Sequence, residues 1–178
     1  MTKFRYFLAA ITAVVALAIP SIPAPQAHAA SGPWALTNNA RTYILNSTVK
    51  LSGGSADTLK VKLFTSATDL SASSTTCSTV TNEVSSTNTG YTTGGATVTL
   101  SLSGTTTVTV VAGSSLVWTA GSANLTVNKA ALCSTTADKV IAYRSIDSGG
   151  ADVTTTSGQT YTMNFTGTPG TAYLFSWS

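Results

Sequence analysis

Histidine is nearly missing from this chain. Of 178 residues one is histidine, His28, and it falls inside a segment expected to be removed on export. The remaining chain therefore has no imidazole for general acid–base catalysis, for the usual hydrolase triads, or for most transition-metal sites. Charge is also scarce, with nine Lys or Arg against six Asp or Glu. Loss of Lys3 and Arg5 with the N-terminal segment takes the net charge from +3 to +1. Such a surface lacks the clustered cations that neutralise nucleic-acid phosphates, so nucleic acid is not an expected partner. The basic residues Arg41, Lys50, Lys60, Lys62, Lys129, Lys139 and Arg144 are scattered. Lys60 and Lys62 share one face of an expected strand, and a solvated face is the simplest reading. The acids are Asp57, Asp69, Glu83, Asp138, Asp147 and Asp152. No two are spaced to share a local element, whereas a glycosidase needs two facing carboxyl groups. No cofactor and no metal site are expected; no Asp-rich loop has calcium-binding spacing, while scattered Asp and carbonyl oxygens leave calcium open.

The N-terminal 29 or 30 residues have the build of a secretory signal peptide. Lys3 and Arg5 form a positive start, and residues 7–19 are an almost unbroken apolar run. Pro20, Pro23 and Pro25 break that run, and Ala27-His28-Ala29 supplies a small-x-small cleavage pattern before Ala30. About 13 apolar residues are too few to span a bilayer comfortably; a short retained anchor is the alternative. Residues 30–178 are expected to form one domain, secreted and without a stable membrane anchor once cleaved. In an exported protein the pair Cys77 and Cys133 is most simply a disulfide, with two free thiols as the alternative. The bridge would close a loop of about 55 residues and stabilise by roughly 3–4 kcal/mol.

Ser, Thr and Gly dominate what remains, residues suited to strands and turns rather than helices. Residues 34–45 form the one good helix candidate, with Thr37 as cap and Ala40, Tyr43 and Ile44 on one face. Thereafter the period is two. Residues 58–65 (TLKVKLFT) place Leu59, Val61 and Leu63 on one side and Lys60 and Lys62 on the other. Residues 69–79 are expected to be a surface loop and 80–84 a short extended stretch. Residues 89–95 form a Gly-rich joint. Further strands are expected at 96–103 and 105–111, joined as a hairpin, and at 116–119, 125–131, 139–146, 153–156, 160–165 and 173–177. The expected fold is all-β: an antiparallel β-sandwich, jelly-roll or Ig-like, with one short N-terminal helix. Trp118 lies inside an apolar strand and is expected in the core. Trp34, Trp177 and the tyrosines leave a sugar-stacking platform open as an alternative to packing.

Several segments carry a resemblance: 40–51 (ARTYILNSTVKL), 59–70 (LKVKLFTSATDL), 80–84 (VTNEV), 90–95 (GYTTGG), 117–125 (VWTAGSANL) and 152–160 (DVTTTSGQT). In this order they resemble a family of small tailed-phage virion structural proteins, over roughly residues 34–167. The resemblance implies an all-β accessory virion protein of capsid-decoration, fibre or tail type, with no catalytic residues. The signal peptide, the neutral stretch 112–115 and the ending 167–178 depart from that pattern. Within the joint, Gly94 and Gly95 suit positive φ, and Asn82 and Glu83 are expected to hydrogen-bond backbone groups.

The expected function is therefore non-enzymatic: protein–protein contacts, including self-association, in a virion or surface assembly. The alternative is a secreted carbohydrate-binding or adhesive module with a glycan partner, using exposed Tyr or Trp. A weaker third reading is a small exported enzyme with two of the six acids converging in a cleft. Location is secreted or extracellular, with the virion as the other possibility.

Overall fold

The computed structural model describes residues 32–103, 108–165 and 175–177. The expected signal peptide, with Ala27, Ala29 and Ala30, lies outside the described residues, as does the turn at 104–107. The fold is all-β, with every strand pair antiparallel. Five strands make the largest sheet: β1 (Ala35–Leu36), β2 (Leu59–Phe64), β3 (Ala96–Thr97), β8 (Lys129–Ser134) and β9 (Lys139–Ser145), in the order β1-β9-β8-β2-β3. β4 (Leu100–Ser103) and β5 (Val108–Ala112) form the expected hairpin, extended by β12 (Phe175–Trp177). β6 (Leu116–Thr119) pairs with β11 (Thr160–Met163), and β7 (Leu125–Val127) with β10 (Val153–Thr155).

Alternation explains the main core. Leu59, Val61 and Leu63 of β2 point inward with Ala130 and Leu132 of β8 and Ala142 of β9. Leu116 and Trp118 of β6, Leu125 and Val127 of β7, and Tyr161 and Met163 of β11 join the same core. Their alternates Val117 and Thr119 are exposed, as period two requires. Fully burying one such aliphatic side chain stabilises by roughly 1.5–3 kcal/mol.

The other face of the large sheet is apolar as well. Phe64, Ala131, Cys133 and Val140 form a second, smaller cluster with Leu70 and Cys77 from the segment between β2 and β3. Residues 65–84 thus form a cover laid over the outer face of β8 and β9. Its base is closed by the Thr65 amide donating to the Asn82 carbonyl (3.1 Å) and the Thr81 amide donating to Asp69 Oδ1 (2.8 Å). Its far side is tied by the Cys77–Cys133 disulfide, Cα–Cα 6.1 Å. Lys129 Nζ donates to the Leu70 carbonyl (2.9 Å), the Val140 amide to the Thr75 carbonyl (3.0 Å), and the Asn38 amide to the Ala72 carbonyl (2.8 Å).

Four expectations need correction. The helix expected at 34–45 is only α1 (Ala40–Leu45), because Ala35 and Leu36 pair with Tyr143 and Ala142 of β9. Thr37 does not cap it; Asn39 holds that position without a side-chain hydrogen bond. The Thr37 hydroxyl donates instead to the Val140 carbonyl (2.8 Å), beside the bulge between β8 and β9. The strand expected at 96–103 divides into β3 on the large sheet and β4 on another. The strand expected at 125–131 divides at Asn128, whose Nδ2 donates to the Gly150 carbonyl and to Asp152 Oδ1, both at 2.9 Å. That buried corner turns the chain from the β7–β10 pair into the large sheet.

Candidate functional site

Three stretches of the chain, 59–70, 80–84 and 90–95, meet at Glu83. The segment 80–84 runs against the end of β2, with Glu83 bridging Phe64 and the Val84 amide donating to the Leu63 carbonyl (2.9 Å). The joint 90–95 closes over it. Glu83 Oε1 accepts from the Tyr91 hydroxyl and the Gly94 amide, both at 2.6 Å. Glu83 Oε2 accepts from Lys62 Nζ at 3.1 Å. The Tyr91 oxygen in turn accepts from the buried Leu63 amide (3.2 Å). Burial, and then the neighbouring Glu83 carboxylate, push the Tyr91 hydroxyl well above the ordinary tyrosine range. Asn82 takes positive φ (60°), and its Nδ2 donates to the Ala67 carbonyl (2.8 Å).

The joint needs glycine for two separate reasons. Gly94 and Gly95 adopt φ of 95° and 83°, where a Cβ is strained. A Cβ on Gly95 would also collide with the Val61 carbonyl, so the joint lies directly on β2. The expected roles of Glu83, Gly94 and Gly95 match this geometry, whereas Asn82 bonds the Ala67 carbonyl of the cover rather than a backbone group of the joint. Lys62 does not match its expectation: its side chain is 14 % exposed and paired with Glu83 rather than solvated. The pairing partner comes from a segment 21 residues on, which strand periodicity alone does not reveal.

The other acids occupy separate settings. Asp57 accepts from the Ser134 hydroxyl (2.6 Å), and Asp138 from the Ser78 amide (2.9 Å). Asp69 binds Thr81, and the Thr81 amide holds its carboxyl below the usual carboxylate range. Asp147 and Asp152 flank one turn; Asp147 Oδ2 accepts from the Ala151 amide (3.0 Å), and Asp152 meets Asn128 and Ser66. Among the described residues no two carboxylates share a donor. Among the described residues no group of three His, Cys, Asp or Glu is placed to hold a metal ion. A cleft of about 280 Å³ opens beside β2 and β3, with Leu51, Leu59, Val98 and Leu100 on its wall and Asp57 as its one carboxylate.

The aromatic side chains stack inward. Trp118 lies between Tyr161 (5.8 Å between ring centres, 22° between planes) and Tyr91 (6.5 Å, 42°). Trp34 stacks on Phe165 (6.1 Å, 17°). All five rings are buried, so Trp118 is a core residue as expected and none of the five is open to a sugar face. The Trp177 side chain lies outside the described residues. The large exposed apolar side chains among the described residues are Leu45, Leu102 and Val117.

Sequence reasoning missed Arg144. Read as one more scattered base, it is buried on the inner face of β9, with its guanidinium 5.6 Å from the centre of the Trp34 ring. The signal was present: Ala142, Arg144 and Ile146 alternate on one face of the strand.

The described helix is too short to cross a membrane, and the disulfide is compatible with an extracellular location. Comparison with protein-family models gave no match, and neither curated proteins nor solved structures gave one.

Proposed function

We propose that this chain is a non-enzymatic structural protein of the phage-virion type, working through protein–protein contacts in a particle or surface assembly. The observation that carries the reading is the Glu83 hub. Segments 59–70, 80–84 and 90–95, which resemble the virion family in series, interlock through Lys62, Glu83, Tyr91 and Gly94. In this reading the large sheet and the smaller sheets are the two layers of a β-sandwich around the main core. The contact surface is the outward side of the strands, where Val117 and Leu102 stand exposed. Low charge suits such packing, because an unpaired charge trapped in an interface is costly.

Density-gradient fractionation of the producing culture, following this chain by mass spectrometry, tests the proposal. Sedimentation with particles alongside capsid proteins is the expected result. An N-terminus beginning at Ala30 would add that the particle-bound chain has been exported. Recovery only as a free or cell-surface species overturns the virion reading and leaves the carbohydrate-binding or adhesive module as the remaining one.

A further inference from the structure

Buried arginines are rarely left without an acceptor. Arg144 is 7 % exposed, and its Nε has no hydrogen-bond partner. The Trp34 Nε1–H beside it is also buried without a partner. Two unmatched donors therefore sit within one contact, since the guanidinium lies over the Trp34 ring. None of the six acids pairs with Arg144: the one ion pair among the described residues is Lys62–Glu83. Five of those acids accept hydrogen bonds elsewhere through side-chain donors or loop amides; Asp147, three residues along, accepts from the Ala151 amide through Oδ2, and its buried Oδ1 has no partner but makes no ion pair with Arg144.

We propose that Arg144 and Trp34 together form a recognition point for a carboxylate that this chain does not itself supply. A guanidinium is a planar fork of N–H donors that a carboxylate accepts bidentately, and a neighbouring indole ring supports it by cation–π attraction. The Trp34 indole N–H is a further neutral donor in the same contact. Tyr161 borders the group as well: the Arg144 charge opposes the rise that burial imposes on its hydroxyl, which still reaches about 12. The Tyr161 hydroxyl thus remains a neutral donor at physiological pH. Both unmatched atoms of the Arg144–Trp34 contact are donors, so an anion is favoured over a cation or a neutral sugar. The carboxylate has two possible sources, a free small acid or an acidic side chain of a partner protein. The second source rests on the assembly reading above; the first does not.

Thermal unfolding of the purified protein, at constant ionic strength, separates these. The probes are sodium acetate against sodium chloride, and an aspartate-containing hexapeptide amidated at its C-terminus against its asparagine counterpart. The expected result is a carboxylate-dependent rise in Tm of about 3–10 °C between tenfold and hundredfold excess over Kd. Arg144→Met should abolish that rise while folding normally, because an apolar side chain suits a buried site without its counterion. Arg144→Lys keeps the charge without the fork and should weaken the response about tenfold. Saturation by the peptide at concentrations tenfold or more below acetate assigns the point to a partner chain; equal concentrations assign it to a free acid. No carboxylate-specific shift in the parent protein, or the same shift in Arg144→Met, overturns the proposal. Particle association of Arg144→Met is read separately, so failure of the carboxylate point leaves the virion reading intact.

Discussion

Glu83 concentrates more structure in one side chain than any other acid of the chain. Its replacement by alanine leaves the Tyr91 hydroxyl, the Gly94 amide and Lys62 without their shared acceptor. The expected loss is about 2–3 kcal/mol in denaturant unfolding. Glu83→Gln, which keeps an acceptor oxygen, should cost less than half as much. Tyrosine ionisation gives an independent readout. Tyr91 and Tyr161 are both held above the free value of 10.0, chiefly by burial. A group with a raised folded pKa stabilises fully below its unfolded pKa and loses that contribution as pH rises toward the folded one. Native protein titrated above pH 10 should therefore show these two phenols un-ionised, and their phenolate absorbance should appear together with unfolding. Simultaneous ionisation of all tyrosines around pH 10 with the fold intact would contradict the buried placement. Asp69 has the opposite sign: its carboxyl is held below 3.8, so its contribution is present above that value and fades as pH falls through the lowered one.

At the scale of elements, the cover formed by residues 65–84 is the part with the least secondary structure and the most cross-ties. Cys77→Ser with Cys133→Ser should lower stability by about 4 kcal/mol in the chain-entropy account. Amide exchange should accelerate first at Leu70 and Thr81, whose amides are bonded within the cover, while β6 and β11 keep their protection, because those strands belong to the other cluster. Uniform acceleration throughout would mean that the two clusters unfold as one. The same region marks how far sequence reasoning reaches. TLKVKLFT reads directly as a strand because its alternation is enforced on both sides. The alternating Lys60 and Lys62 hid a second buried face, however, since Phe64 belongs to it and its cover comes from the following loop. The helix at 34–45 was over-extended because Trp34 and Leu36 are apolar for the sake of β9 rather than of a helix face. The break at Asn128 was not legible locally, since its reason is two hydrogen bonds to residues more than 20 positions on. The Gly-rich joint was legible, because positive φ and close approach leave a residue type as their trace. Its convergence on Lys62 was not, because ion pairing across 21 residues leaves none.

At the scale of the molecule, apolar side chains, hydroxyl groups and backbone hydrogen bonds do the work that charge does in many proteins. One ion pair appears among the described residues, so raising salt from low to molar concentration should change the unfolding midpoint little apart from general salting-out effects. A steep fall in stability with salt would point to charge networks absent from this description. Gly95→Ala is the converse test of the backbone: with positive φ and the Val61 carbonyl in the way, it should destabilise severely, by about 3 kcal/mol or more, in thermal or denaturant unfolding.

The borders of the five-stranded sheet carry one more consequence. β1 and β3, which flank it, are two residues long each. A strand donated by a neighbour needs a run of unsatisfied amides and carbonyls, and fragments this brief provide almost none. The borders of that sheet thus offer little template for a strand donated by a neighbouring copy.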